Sequence, residues 1–137
     1  MARYRLGVGH DRSPGSKEPN LGGIYENVVA QQLAAQNRQL YYYQTKKRGE
    51  VDFVVDGPDG TAVPIEVKSG SYYHAHAALG HVLDTAEYGV RLGIVFSRGN
   101  VERNGAVLYL PLYATWALTD VLGDSCAEGI KLEVKPV

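Results

Sequence analysis

The chain has 137 residues, 45% hydrophobic and 21% charged, with fourteen Lys plus Arg against fifteen Asp plus Glu and a net charge of -1. That length predicts one domain with a real core and leaves no room for a second full domain. No apolar run approaches the roughly 20 residues that span a bilayer. No global basic field exists to attract phosphates, so any nucleic-acid contact must come from local patches. The lone cysteine, Cys126, excludes an intrachain disulfide and a cysteine-based zinc cluster.

Residues 1–20 are polar, rich in Gly, Ser and Pro, and lack the apolar segment of a secretory signal. They read as a linker before a domain over 21–122, and the location expected is cytoplasmic. From Gly22, apolar residues recur at helical spacing through Ile24, Tyr25, Val28, Val29 and Leu33 up to Gln36, with Asn37 as the stop. The same spacing puts Glu26 on or beside the buried stripe, where a carboxylate needs a reason.

Leu40 to Gln44 is aromatic and β-prone, Thr45 to Gly49 is a basic turn, and Val51 to Asp56 alternates as a strand, which together predict a hairpin. The turn Asp56-Gly57-Pro58-Asp59-Gly60 leads into a third strand over Ala62 to Lys68. Tyr73 to Tyr88 predicts a helix, Val90 to Phe96 a buried strand, Ser97 to Gly105 a loop and Ala106 to Leu110 an edge strand. Pro111 to Leu122 reads as a last helix, and the tail 123–137 as polar with a possible added strand over Ile130 to Val134. The fold class expected is α/β, in the order αβββαβ, with a mixed central sheet flanked by helices.

Glu50, Val51 and Asp52 lie on one strand, and Glu66, Val67 and Lys68 on its antiparallel neighbour. Alternation gives Glu66 and Lys68 one face and Ile65 and Val67 the other, and the hairpin register aligns Asp52 with them. Phosphodiester hydrolysis uses hard oxygen ligands around a magnesium-like ion that polarises phosphate and acidifies a water. Asp52 and Glu66 suit that role. Lys68 is placed to orient or deprotonate the water, and Glu26 is placed to complete the shell. The plain alternative is a solvated sheet face with cross-strand charge pairs, and Glu50 fits a flanking surface acid equally well.

The order Glu26, Asp52, Glu66-Val67-Lys68 resembles the PD-(D/E)xK nuclease superfamily with its restriction-endonuclease-like fold. More narrowly, GGIYENVVAQQL, YYYQTKKRGEVDFVV, PIEVKSG and LYLPLYATW look like the uncharacterised C-terminal domain of predicted bacterial and archaeal AAA-type ATPases. The resemblance covers about residues 21 to 120 and departs from the superfamily pattern at Val51, where proline is usual. It implies Mg2+ or Mn2+ held by Asp52, Glu66, the Val67 carbonyl and Glu26, with Lys68 as catalytic lysine. It also implies an ATPase domain in the full-length protein.

Lys46, Lys47 and Arg48, just after Tyr41, Tyr42 and Tyr43, are the candidate contacts to nucleic acid, DNA before RNA. His74, His76 and His81 do not share one helical face, which argues against zinc. Ser97, Arg98 and Asn100 carry nothing specific, and Tyr113 and Trp116 read as core or interface aromatics. Gly15, Ser16 and Lys17 lack the upstream glycine and strand of a phosphate-binding loop, so this chain has no ATP site of that kind. The alternatives to a nuclease are a catalytically silent module that binds nucleic acid or protein, and a structural homodimerisation domain.

Overall fold

A computed structural model describes residues 20–123. Helix α1 (Leu21–Ala35) opens with Asn20, whose side-chain carbonyl accepts from the Gly23 N–H. It closes where expected. Asn37 takes a left-handed φ of 55°, the Arg38 N–H reaches the Leu33 carbonyl and the Asn37 N–H reaches that of Ala34. This paired return satisfies the last carbonyls of the helix.

β1 (Tyr41–Thr45) and β2 (Gly49–Asp56) form the hairpin, and β2 pairs antiparallel with β3 (Ala62–Val67) through Phe53↔Ile65 and Val55↔Val63. The β1–β2 turn needs Gly49, whose φ is +86°. After α2 (Ala77–Asp84), β4 (Gly93–Ser97) lies parallel to β3. β5 (Glu102–Asn104) and β6 (Val107–Pro111) complete a six-stranded mixed sheet of order β1-β2-β3-β4-β6-β5. Short α3 (Leu118–Leu122) follows. The αβββαβ order and the mixed sheet flanked by helices are as the sequence predicts.

Alternation splits the core in two. Val55, Val63, Ile65, Val67, Ile94 and Phe96 pack against Val29 and Leu33 of α1 and Leu118 and Leu122 of α3. On the opposite face, Val51, Val54 and Ala62 meet Ala78 and Val82 of α2, and Val95 and Tyr109 meet Leu79. Fully buried β3 and β4 carry near-continuous apolar runs, as strands covered on both faces must.

Four elements depart from the expectation. The helix predicted over Tyr73 to Tyr88 is helical only from Ala77, because His74 and His76 instead hold Glu102 (3.0 Å) and Tyr109 (2.7 Å) across the sheet. Its far end breaks at Thr85 into a 3-10 turn over Ala86–Tyr88. The Ser97 to Gly105 loop contains β5, whose exposed Glu-Arg-Asn has no apolar alternation to announce it. β6 is consequently interior, pairing with both β4 and β5, and is not an edge strand. Pro111 ends β6, and a 3-10 turn over Leu112–Ala117 replaces the first turns of the expected last helix. The linker 1–19, Cys126 and the strand expected over Ile130 to Val134 lie outside the described residues.

Leu33 is fully buried between α1, the sheet and α3. Leu33→Ala is therefore expected to cost about 2–5 kcal/mol, the range for large-to-small changes in a tight core, measured by chemical denaturation. A loss near zero contradicts this packing.

Candidate active site

The predicted acids meet where β2 parts from β3, and a bulge in β2 decides how. Tyr41 pairs with Val54, yet Tyr43 pairs with Val51, so β2 carries one residue more than β1 between these rungs. Val51 and Val54 both pack on the α2 side, whereas Phe53 packs on the α1 side. Glu50, one before Val51, shares a face with Tyr42, whose hydroxyl donates to it at 2.7 Å. Asp52 is the residue the bulge inserts, and it follows Glu50 onto the α1 side, next to Phe53, so it does not share a face with Glu66 and Lys68 as the simple hairpin register predicts.

Beyond Phe53↔Ile65 the β2–β3 ladder has no further rung. The Val67 N–H, which a β2 carbonyl would otherwise accept, donates instead to Asp52 Oδ2 at 2.7 Å. The Lys68 N–H goes the other way, to the Phe96 carbonyl of β4. Asp52 thus stitches the two strands by its side chain at the point where their backbones separate.

Glu66 is buried at 4% exposure, and the register places it in a cross-strand row with Val95 and Tyr109. Lys68 Nζ lies 3.0 Å from Glu66 Oε2. The geometry falls outside that of a hydrogen bond, so the contact is an ion pair held by charge. Glu26 is half-buried on α1, close enough to Asp52, Glu50 and Lys68 to feel each charge.

The electrostatics follow. Burial pushes the Asp52 carboxyl up to about 6; the Val67 N–H and Lys68 work against this, while Glu26 and Glu66 add to it. Burial, then Glu50, raises Glu26 as well, with Lys68 opposing. Lys68 thus pairs with Glu66 and is felt by Glu26 and Asp52, while Glu50 acts on Glu26. Such a cluster attracts a cation and resists full ionisation without one. Among the described residues no three His, Cys, Asp or Glu side chains stand together at metal-holding spacing.

The other predicted residues lie apart. Lys46 and Lys47 are exposed in the β1–β2 turn at the same end of the sheet, while Arg48 Nη1 contacts His81 Nδ1 of α2 at 2.6 Å. The three histidines each hold a different partner and do not converge. The buried Ser97 hydroxyl accepts from the Gly99 N–H. Tyr113 and Trp116 are 79% and 66% exposed, so they are not core residues. A cleft of about 160 Å³ opens on the α2 side of β1 to β3, among Tyr41, Tyr43, Pro64, Val82, Tyr88 and Val90, with no acid or cation in its wall. It is not where the chemistry is concentrated. Sequence reasoning missed Tyr42 as a donor to Glu50 and the Val67 N–H as a partner of Asp52; neither has a signal short of the bulged register.

A family model described as Domain of unknown function (DUF4143) matches residues 21–114, from the start of α1 to just past β6. The chain belongs to the DUF4143 family. The matched region contains Glu26, Asp52, Glu66 and Lys68. No curated protein and no solved structure matches the chain. No helix among the described residues of this DUF4143 chain is long and apolar enough to cross a membrane.

Because Asp52 holds its proton to a higher pH folded than at its ordinary 3.8, the native state binds more protons than the unfolded chain between those values. Its contribution to stability is therefore greatest in acid and declines as pH rises from 3.8 through about 6. Asp52→Asn, which keeps an acceptor for the Val67 N–H, is expected to flatten that decline and to melt above the parent at pH near 7.5. Asp52→Ala strands the N–H and is expected to cost about 1–3 kcal/mol at pH near 5, where the charge is mostly absent. Denaturation curves at the two pH values check both variants; a parent whose stability rises through this window, with Asp52→Asn below it, contradicts the assignment.

Proposed function

We propose that this chain is a metal-dependent phosphodiesterase module acting on nucleic acid, DNA before RNA. The observation that carries this reading is the meeting of acids at the β2–β3 split, where burial holds the Asp52 carboxyl up to about 6 and Lys68 Nζ lies 3.0 Å from buried Glu66. The donor set is all hard oxygen, which suits Mg2+ or Mn2+. Such ions commonly take one or two carboxylates and fill the remaining positions with water, so the absence of a three-side-chain cage is compatible with them. Asp52 Oδ1, Glu66 and the Val67 carbonyl would hold the ion, with Glu26 supporting through water.

When bound, the ion would supply phosphate polarisation and an acidified water. Asp52 keeps one oxygen on the Val67 N–H and so fixes the strand end that presents Glu66 and Lys68. Lys68, at 35% side-chain exposure, is reachable from solvent and can orient the attacking water or offset charge on the phosphate. Lys46 and Lys47 stand at the same end of the sheet to meet a backbone phosphate. The resemblance to the PD-(D/E)xK superfamily supports the same roles. It also supports a cytoplasmic setting beside an ATPase domain.

One observation favours a second reading, a silent module that keeps the fold. Asp52 and Lys68 already have partners within the chain, in the Val67 N–H and Glu66, so the cluster also works as a strand clamp.

The two readings separate by cleavage of single- and double-stranded DNA and RNA with Mn2+ or Mg2+, comparing the parent with Lys68→Ala. The phosphodiesterase reading expects cleavage by the parent and a rate lower by about 10²–10⁴-fold in the variant, the usual weight of a general acid–base group. No cleavage by the parent supports the silent module, and equal cleavage by both removes Lys68 from the mechanism.

A further inference from the structure

α1 is apolar on two sides. Its inner side buries Val29 and Leu33, but Leu21, Ile24 and Val28 face outward at 37%, 50% and 44% exposure. These positions are spaced by three and four, so they form one stripe. Their exposed neighbours Asn27, Gln31, Gln32, Ala34 and Ala35 are all uncharged. Of the fifteen residues in the helix only Glu26 carries a charge, and it belongs to the acid cluster. A helix that lies on a core and faces water on its other side ordinarily carries charge there, and one that is apolar all round is ordinarily buried all round.

The stripe continues beyond the helix. Val28, Gln32 and Gln36 stack at intervals of four, and Gln36 Nε2 donates to the Thr115 carbonyl of the 3-10 turn. Exposed Trp116 follows Thr115, and exposed Tyr113 lies in the same turn. The surface thus has an aliphatic centre and an aromatic margin, with exposed Asp120 four residues beyond Trp116 as a charge at its rim, the composition of an interface core with a polar rim.

We propose that this outer face of α1 is the surface through which two copies of the chain pair, α1 against α1 about a two-fold axis. In a two-fold contact each patch meets its own copy, so any net charge on it would face itself. An uncharged stripe is compatible with itself, whereas a charged partner would find nothing in it to read. The size is suitable. The helix is about 22 Å long, and each exposed aromatic adds on the order of 150 Å², which brings the patch to several hundred Å², approaching the roughly 800 Å² per partner of a stable interface. Pairing here leaves the acid cluster open, and it does not depend on that cluster being catalytic.

Sedimentation velocity on the full chain tests this. The parent is expected to be a dimer. Ile24→Glu, at a half-exposed position outside the core, is expected to keep the circular dichroism of the parent and to raise the dimer dissociation constant at least about tenfold. Trp116→Ala, which removes only exposed surface, is expected to weaken the dimer in the same direction and serves if Ile24→Glu misfolds. Tyr42→Lys, on edge strand β1, is expected to leave it unchanged. A parent that stays monomeric at every accessible concentration overturns the proposal, and so does a dimer indifferent to Ile24→Glu and Trp116→Ala but broken by Tyr42→Lys.

Discussion

The separation of β2 from β3 is the constraint on which the site depends. A sheet strand normally gives its N–H and C=O groups to its neighbours, and a strand end buried without partners is costly. Here the ladder stops at Phe53↔Ile65, and the next outward N–H, that of Val67, is satisfied by a carboxylate in place of a carbonyl. The bulge makes this possible by adding a residue to β2 and turning Asp52 toward the gap. One local irregularity therefore satisfies the backbone and also brings an acid to the α1 side near Glu26, at the strand end whose other face carries Glu66 and Lys68.

The electrostatic character of the site is a consequence. Carboxylates taken out of water and set near one another hold their protons more tightly unless a cation stands between them. Lys68 pairs with Glu66 and lowers the cost for Asp52 and Glu26, yet burial still holds Asp52 up to about 6. Buried Glu66, ion-paired with Lys68, lies at the same end of the sheet.

The fold was legible because its signals are local. Helical spacing marks α1, and the Asn37 stop adopts the left-handed backbone that asparagine tolerates. Alternation marks β2, and the Pro-Asp-Gly turn marks the way into β3. The antiparallel pairing of β2 and β3 then brings Asp52 and Glu66 to one end of the sheet. What the residues do not announce is set by contacts distant in sequence. The bulge at Asp52 exists only in the register between β1 and β2, so alternation alone cannot tell which side Asp52 takes. Ala75, Leu79, Val82, Leu83 and Ala86 keep helical spacing, yet His74 and His76 find partners on β5 and β6 and the helix starts late. β5 is polar and three residues long, so it becomes visible only beside β6.

The most direct test is a carbon-detected NMR titration of the Asp52 carboxyl, with and without Mg2+. The account predicts a midpoint near 6 for the metal-free protein, moving to markedly lower pH when Mg2+ is added, because the ion stabilises the ionised carboxylate. A midpoint in the ordinary aspartate range, or one that Mg2+ does not move, would contradict the claim that the acids at the β2–β3 split form a cation site.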